Sequence, residues 1–285
     1  MASNRKHSTI GWRILMENLL QIALNAAIEA GKKILEVYRD DFSVTFKNDK
    51  SPLTLADQIS HQTIASYLTD TGFPILSEEG ADIDYTQRKT WKKFWCVDPL
   101  DGTKEFIQRN GEFTVNIALI ENNYPLLGVV YVPVKDCMYW GGKEFGSFKL
   151  TDASKRIQEN KMEAKKTLPE TNANRLFTVV ASRSHMNEPT RLFIENLKKQ
   201  KGDLEIISAG SSLKICMVAE GVADVYPRFG PTMEWDVAAG QAIAEGAKSE
   251  VIQWPELTRL SYNKESLKNG PFIVRSLSVD LTSLS

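Results

Sequence analysis

Cysteine is scarce: Cys96, Cys137 and Cys216 are the only three in 285 residues, and no two stand at CxxC spacing. That excludes a disulfide framework, and a reducing cytoplasm is the compartment such usage fits. Histidine is equally rare, and neither His7 nor His61 has a Cys or His at ligand spacing, which argues against zinc. No apolar run approaches the roughly 18 residues a membrane span needs, and the start, MASNRKHSTIGWRILMENLL, is too polar for a signal segment. Charge of one sign is not in excess either. With 35 basic and 36 acidic residues, the chain lacks the footprint of a nucleic-acid polymer binder. There is no internal repeat, no low-complexity segment and no GxxxxGK phosphate loop. What remains is a globular chain, 42% hydrophobic and long enough for one large domain or two packed lobes.

Periodicity divides it. Residues 1–15 read as a loose N-terminal extension. From Leu15 to Tyr38, Leu19, Ile22, Ala23, Ala26, Ala30 and Ile34 recur at steps of three and four, predicting a long helix with one buried face. Thr54 is placed to cap a second helix running to about Leu68. PILSEEG reads as a short strand opening into a loop, and KFWCV as a strand that stops at Asp98, before a proline that cannot donate to a ladder. FTVNIALIENNYPLLGVVYVPVKDCMYW predicts an antiparallel meander turning at Asn122–Pro125. Residues 16–150 thus form an α+β lobe. The lysine-rich stretch 151–175 is predicted to be a polar linker or flap, and 176–285, where strands alternate with helices, a second α/β lobe.

CVDPLDGTKEF, residues 96–106, puts Asp98 and Asp101 three apart around a proline and ahead of a Gly-Thr pair. A hard divalent cation such as Mg²⁺ takes oxygen ligands, and two carboxylates with the Leu100 carbonyl between them supply three. If a helix opens at Gly102 and Thr103, its free amides form an anion site beside the metal. Glu78 after a strand and Asp236 at a helix start are further acids at element ends, although an isolated aspartate there is ordinarily a cap. The aromatics Phe94, Trp95, Phe106, Phe113 and Trp235 have no basic stripe beside them and read as core.

SEEG, WCVDPLDGTKEF, GEFTVNIALI and PRFGPTMEWDVAAGQAI, at these spacings, resemble the inositol monophosphatase superfamily of Mg²⁺-dependent, lithium-sensitive phosphatases, from about residue 16 onward. SRSH at 182–185 and GSSLK at 210–214 point to its bisphosphate nucleotidase branch. The resemblance implies a layered αβαβα sandwich of two lobes with the metals between them. It makes Glu78, Asp98, Leu100, Asp101 and Asp236 ligands of two or three magnesium ions, with Glu78 also in the catalytic set. It pairs Asp57 with Thr103 to orient and deprotonate a water. It places the substrate against Glu78, Leu100, Asp101, Gly102, Thr103, Asp236 and, from the second lobe, Ser182, Arg183, His185, Gly210 and Lys214. Read without the resemblance, His185 is a satisfied loop residue and Lys214 an exposed helix lysine, while Arg228 either reaches the active site or pairs with a local acid. Two departures from the family pattern, Leu53 and Lys248, do not touch the implied metal site.

The activity the resemblance implies is hydrolysis of the 3'-phosphate of adenosine 3',5'-bisphosphate, and of its phosphosulfate precursor, in sulfur metabolism. An inositol or sugar phosphate phosphatase, or a catalytically idle nucleotide or metal binder, are the alternatives. Implied partners are a small nucleotide bisphosphate and no nucleic-acid polymer. A monomer or homodimer, and peripheral association with the cytoplasmic face of a membrane, both stay open.

Overall fold

The computed structural model describes residues 2–40, 44–46, 52–80, 83–170, 175–182 and 186–281. In chain order the first elements are α1 (Ala2–Arg39), β1 (Val44–Phe46), β2 (Pro52–Thr54), α2 (Leu55–Leu68), β3 (Ile75–Ser77) and α3 (Tyr85–Arg88). Then come β4 (Lys93–Asp101), α4 (Thr103–Ile107), β5 (Thr114–Glu121), β6 (Tyr124–Val132), β7 (Cys137–Gly142), β8 (Gly146–Thr151), α5 (Ala153–Gln158) and β9 (Lys166–Leu168). After them come β10 (Phe177–Ser182), α6 (Glu188–Lys201), β11 (Leu204–Ala209), α7 (Leu213–Glu220) and β12 (Val225–Arg228). The series closes with β13 (Thr232–Met233), α8 (Glu234–Gly246), β14 (Ser249–Gln253), β15 (Lys268–Asn269) and β16 (Phe272–Ser276).

Three apolar clusters stack these into five layers. The first joins the buried faces of α1 and α2 to one face of a seven-stranded sheet, ordered β3-β4-β5-β6-β7-β8-β9. The second joins the other face of that sheet to α7 and α8 and, beyond them, to a five-stranded sheet ordered β11-β10-β12-β16-β14. The third lies under α6, on the far face of the five-stranded sheet. This is the αβαβα sandwich. The meander β5 to β8 is antiparallel throughout, and Asn122 and Asn123, with φ of 50° and 68°, make the tight turn between β5 and β6.

Helix α8 lies between the two sheets because its residues are small. A Cβ added at Gly128 on β6 would lie 2.2 Å from the Ala239 carbonyl oxygen, so backbone touches backbone there. Gly128→Ala is therefore expected to destabilise the fold by about 1–3 kcal/mol or more, through overpacking. A denaturant titration showing an unchanged midpoint would contradict this.

Three sequence readings change. Residues 2–15 are not a loose extension, because α1 begins at Ala2; from residue 11 onward Trp12, Ile14 and Leu15 are exposed and Met16 is the first buried residue. The stretch 151–175 is not only a solvated connection. Ala153 and Ile157 of α5 are buried, and β9 adds an edge strand to the large sheet through Leu168. Strand β4 does not stop at Asp98 but continues to Asp101. Among the described residues no helix is long and apolar enough to cross a membrane.

Candidate active site

The continuation of β4 explains how two aspartates three apart can face the same way. Asp98 pairs with Asn116 and Asp101 with Thr114, so three steps on β4 match two on β5. The extra residue is a β-bulge. In a regular strand, side chains three apart leave opposite faces, and the bulge returns Asp101 to the face of Asp98. Pro99 suits the irregular position because it has no N–H to leave unpaired. Ser60 on α2 donates to the Pro99 carbonyl at 2.7 Å, and the Leu100 N–H donates to Asp98 Oδ1 at 3.0 Å.

Asp236 is the third residue of α8 and accepts the Met233 N–H on Oδ2 at 2.8 Å. It is a cap, and it also lines a cavity with Asp101 and Lys214. Asp101 accepts on Oδ2 from the Ser212 N–H at 2.6 Å, across the two lobes, with Asn116 Nδ2 at 3.3 Å and Thr114 Oγ1 at 3.4 Å. Each aspartate thus has one oxygen fixed by the protein. Asp98 Oδ2, Asp101 Oδ1 and Asp236 Oδ1 accept no hydrogen bond from the described residues. Glu78 follows β3, its N–H donating to the Val97 carbonyl at 3.1 Å.

These four acids share one electric field. Burial, then the charges of Glu78, Asp101 and Asp236, push the Asp98 carboxyl well above the usual range. Burial and the charges of Asp101 and Glu78 push Asp236 the same way, against the opposing Met233 N–H. Among the described residues no three His, Cys, Asp or Glu side chains already converge on one ligation point. The donor chemistry nevertheless fits a hard cation: all oxygen, Asp98 buried and the other three acids half-buried, excess negative charge, and one open oxygen on each aspartate.

Asp57 is the third residue of α2 and forms a capping box with Thr54, accepting its N–H at 2.7 Å and its hydroxyl at 2.6 Å, both on Oδ2. The other oxygen, Oδ1, accepts the Thr103 hydroxyl at 3.2 Å, and the Leu100 carbonyl lies 3.4 Å from the same hydroxyl. Gly102, before the single turn of α4, sits at φ +90°, a conformation that disfavours a side chain.

From the second lobe, the turn before α7 docks on the loop before β5. The Gly210 N–H donates to Glu112 Oε2 at 2.9 Å and Ser211 Oγ to the Glu112 carbonyl at 2.7 Å. Lys214 is not an exposed helix lysine. It is 6% exposed, donates to the Ser211 carbonyl at 2.6 Å, and lines a cavity of about 120 Å³ with Asp101, Gly102, Tyr226, Arg228 and Asp236. Burial pulls its pKa down to about 8, against the opposing charge of Asp101, so it stays mostly protonated at neutral pH. Arg228 enters the same cavity. It donates to the Pro231 carbonyl at 3.1 Å while its Nε is buried with no hydrogen-bond partner among the described residues.

Ser182 closes β10, while Arg183 and His185 lie outside the described residues. His61 Nδ1 is 2.9 Å from Ser77 Oγ, a structural contact. Sequence reasoning missed Ser60, Thr114 and Asn116, and reached Ser212 only as part of the GSSLK segment. The signal for two of them was present: Thr114 and Asn116 are polar residues at period two in the otherwise apolar run TVNIALI.

The model of the inositol monophosphatase family matches residues 15–275, and the chain belongs to that family. The chain is 42% identical to the 3'(2'),5'-bisphosphate nucleotidase CysQ of Salmonella typhimurium strain LT2 over 264 residues, 91% of this chain and 99% of the relative. It is also 42% identical to the protein of that name from Escherichia coli strain K12, over 265 residues with the same coverage. The crystal structure of CysQ from Bacteroides thetaiotaomicron, a bacterial member of the same family, superposes with a TM-score of 0.81 at 49% identity, covering 90% of this chain and 97% of that one.

Proposed function

We propose that this protein is a magnesium-dependent 3'(2'),5'-bisphosphate nucleotidase that hydrolyses adenosine 3',5'-bisphosphate to AMP and phosphate. The observation that carries the reading is that one cavity is lined both by acids, Asp101 and Asp236, and by the basic side chains of Lys214 and Arg228. An ester with one phosphate, held at the acids through a metal, leaves those basic side chains without an anion, whereas a bisphosphate supplies a second one. The relatives that match nearly the whole chain carry the same activity in their name.

Glu78, Asp98, Asp101, Asp236 and the Leu100 carbonyl would hold the metal. Bound magnesium supplies an acidified water and neutralises the charge gathering on the phosphoryl oxygens. The Asp57 carboxylate, with one oxygen on the Thr54 cap and the other on Thr103, fixes the threonine hydroxyl and takes the proton of the attacking water. The backbone at Gly102 and Thr103 lies against the reacting phosphate. Lys214 and Arg228 hold the other one and so set which ester is presented.

The test is phosphate release from adenosine 3',5'-bisphosphate and from inositol 1-phosphate, each with Mg²⁺ and with chelator. Release that needs Mg²⁺ and favours the nucleotide is the expected result. Lys214→Met should raise KM for the bisphosphate about 10–100-fold, the worth of a charge-assisted hydrogen bond, and change KM for 3'-AMP little. Preference for the inositol ester would overturn the specificity reading, and no release from either would overturn the activity.

A further inference from the structure

Arg88 is 3% exposed and, among the described residues, has no carboxylate within ion-pair distance. Its guanidinium donates to the Lys264 carbonyl at 2.6 Å, the Glu265 carbonyl at 2.7 Å, Asn263 Oδ1 at 3.1 Å and the Ile83 carbonyl at 3.3 Å. Burying a cation against neutral acceptors is costly, and an apolar side chain would fill the space without that penalty. What an arginine adds is direction, since its rigid fork aims several donors at once.

Glu234 holds the same short loop from the other side. Fully buried, it accepts the Asn263 N–H at 2.6 Å, the Lys264 N–H at 3.0 Å and Lys264 Nζ at 2.7 Å. The loop's amides thus go to Glu234 and its carbonyls to Arg88, and Asn263 Nδ2 returns to the Arg88 carbonyl at 2.7 Å. Arg88 ends α3, the first helix after Glu78, and Glu234 opens α8, two residues before Asp236. The first turn of α8 is fixed further by the Glu234 N–H on the Leu267 carbonyl at 2.9 Å.

We infer that Arg88 and Glu234 are positioning residues which, through the 263–265 loop, hold the Glu78 segment of the first lobe in register with Asp236 of the second. The inference rests on the metal-site reading above and assigns to it a support that touches neither metal nor substrate. Loss of such a support costs about 10–100-fold in metal affinity.

The test is calorimetric binding of Mg²⁺ alone to the substrate-free protein, comparing wild type with Arg88→Lys and Glu234→Gln. Arg88→Lys keeps the charge and loses the fork. Glu234→Gln keeps the shape but cannot accept on both sides. In variants that keep a cooperative melt, Kd for Mg²⁺ is expected to rise about 10–100-fold. A Kd within twofold of wild type would overturn the inference and leave a purely structural role. Should both variants fail to fold, wild-type hydrogen exchange decides. Mg²⁺ should slow exchange at the amides of 263 and 264 at least about tenfold, and unchanged exchange there overturns the inference. If wild type binds no Mg²⁺, the metal-site reading itself is what fails.

Discussion

Asp57→Asn is expected to lower kcat about 10²–10⁴-fold, the range for loss of a positioned general base, while leaving KM and the Mg²⁺ requirement close to wild type. The separation follows from where the two oxygens point. Oδ2 belongs to the Thr54 cap and Oδ1 to Thr103, so the residue is joined to the fold by one atom and to the chemistry by the other. An asparagine can still accept from the Thr54 N–H through its carbonyl, but it cannot take a proton. The cap will weaken as well, by about 0.5–2 kcal/mol. Thr54→Ala measures that part alone: it should lower the unfolding midpoint comparably and slow turnover far less. Retention of kcat within tenfold in folded Asp57→Asn would remove Asp57 from the catalytic set.

The same residue shows why some of the site was legible in the sequence. Thr54, Asp57 and the start of α2 lie within four positions, and DPLDGT is a local motif whose acids, proline and glycine each have a backbone reason to be there. The bulge that gives the motif its meaning was hidden, because it is defined by the register of β4 against β5. The link between Asp101 and Ser212 spans 111 positions, and the clamp on the 263–265 loop joins Arg88 to residues about 175 positions away. No periodicity records such pairs.

Lys214 was misread without the resemblance for a related reason. A lysine on a short helix looks exposed until the opposing lobe, with Glu112 and Asp101, is packed over it. Among the described residues of 151–175 the buried ones are two on one short helix and one on a three-residue strand, too few to stand out among lysines. The alternation of strand and helix after residue 176, by contrast, is long enough to read, and α6, β11 and α8 are among the elements that carry it.

Asp101→Asn is expected to abolish Mg²⁺-dependent turnover and yet to stabilise the metal-free protein. Asp98 and Asp236 have folded-state pKa values above the unfolded ones, so the folded chain holds its protons longer than the unfolded chain does. Stability of the metal-free protein therefore falls as pH rises from the ordinary carboxylate range near 4 towards neutrality, the opposite of what salt-bridged acids give. The Asp101 charge contributes to both shifts, and an amide in its place removes that contribution while its carbonyl can still accept the Ser212 N–H that joins the lobes. Metal reverses the order. At about a hundredfold excess over Kd, a ligand bound only by the folded state adds about 2.7 kcal/mol, which wild type gains and the variant, weakened at least about 100-fold in metal affinity, does not. Thermal melts at neutral pH should therefore cross: the variant melts higher in chelator and lower in saturating Mg²⁺. A variant that melts lower in both would mean that Asp101 serves the lobe contact before it serves a cation. A metal-free wild type that grows more stable from pH 5 to 8 would mean that the four acids do not repel one another in the folded chain. The crossing is the behaviour expected of carboxylates gathered for a cation at the expense of the empty fold.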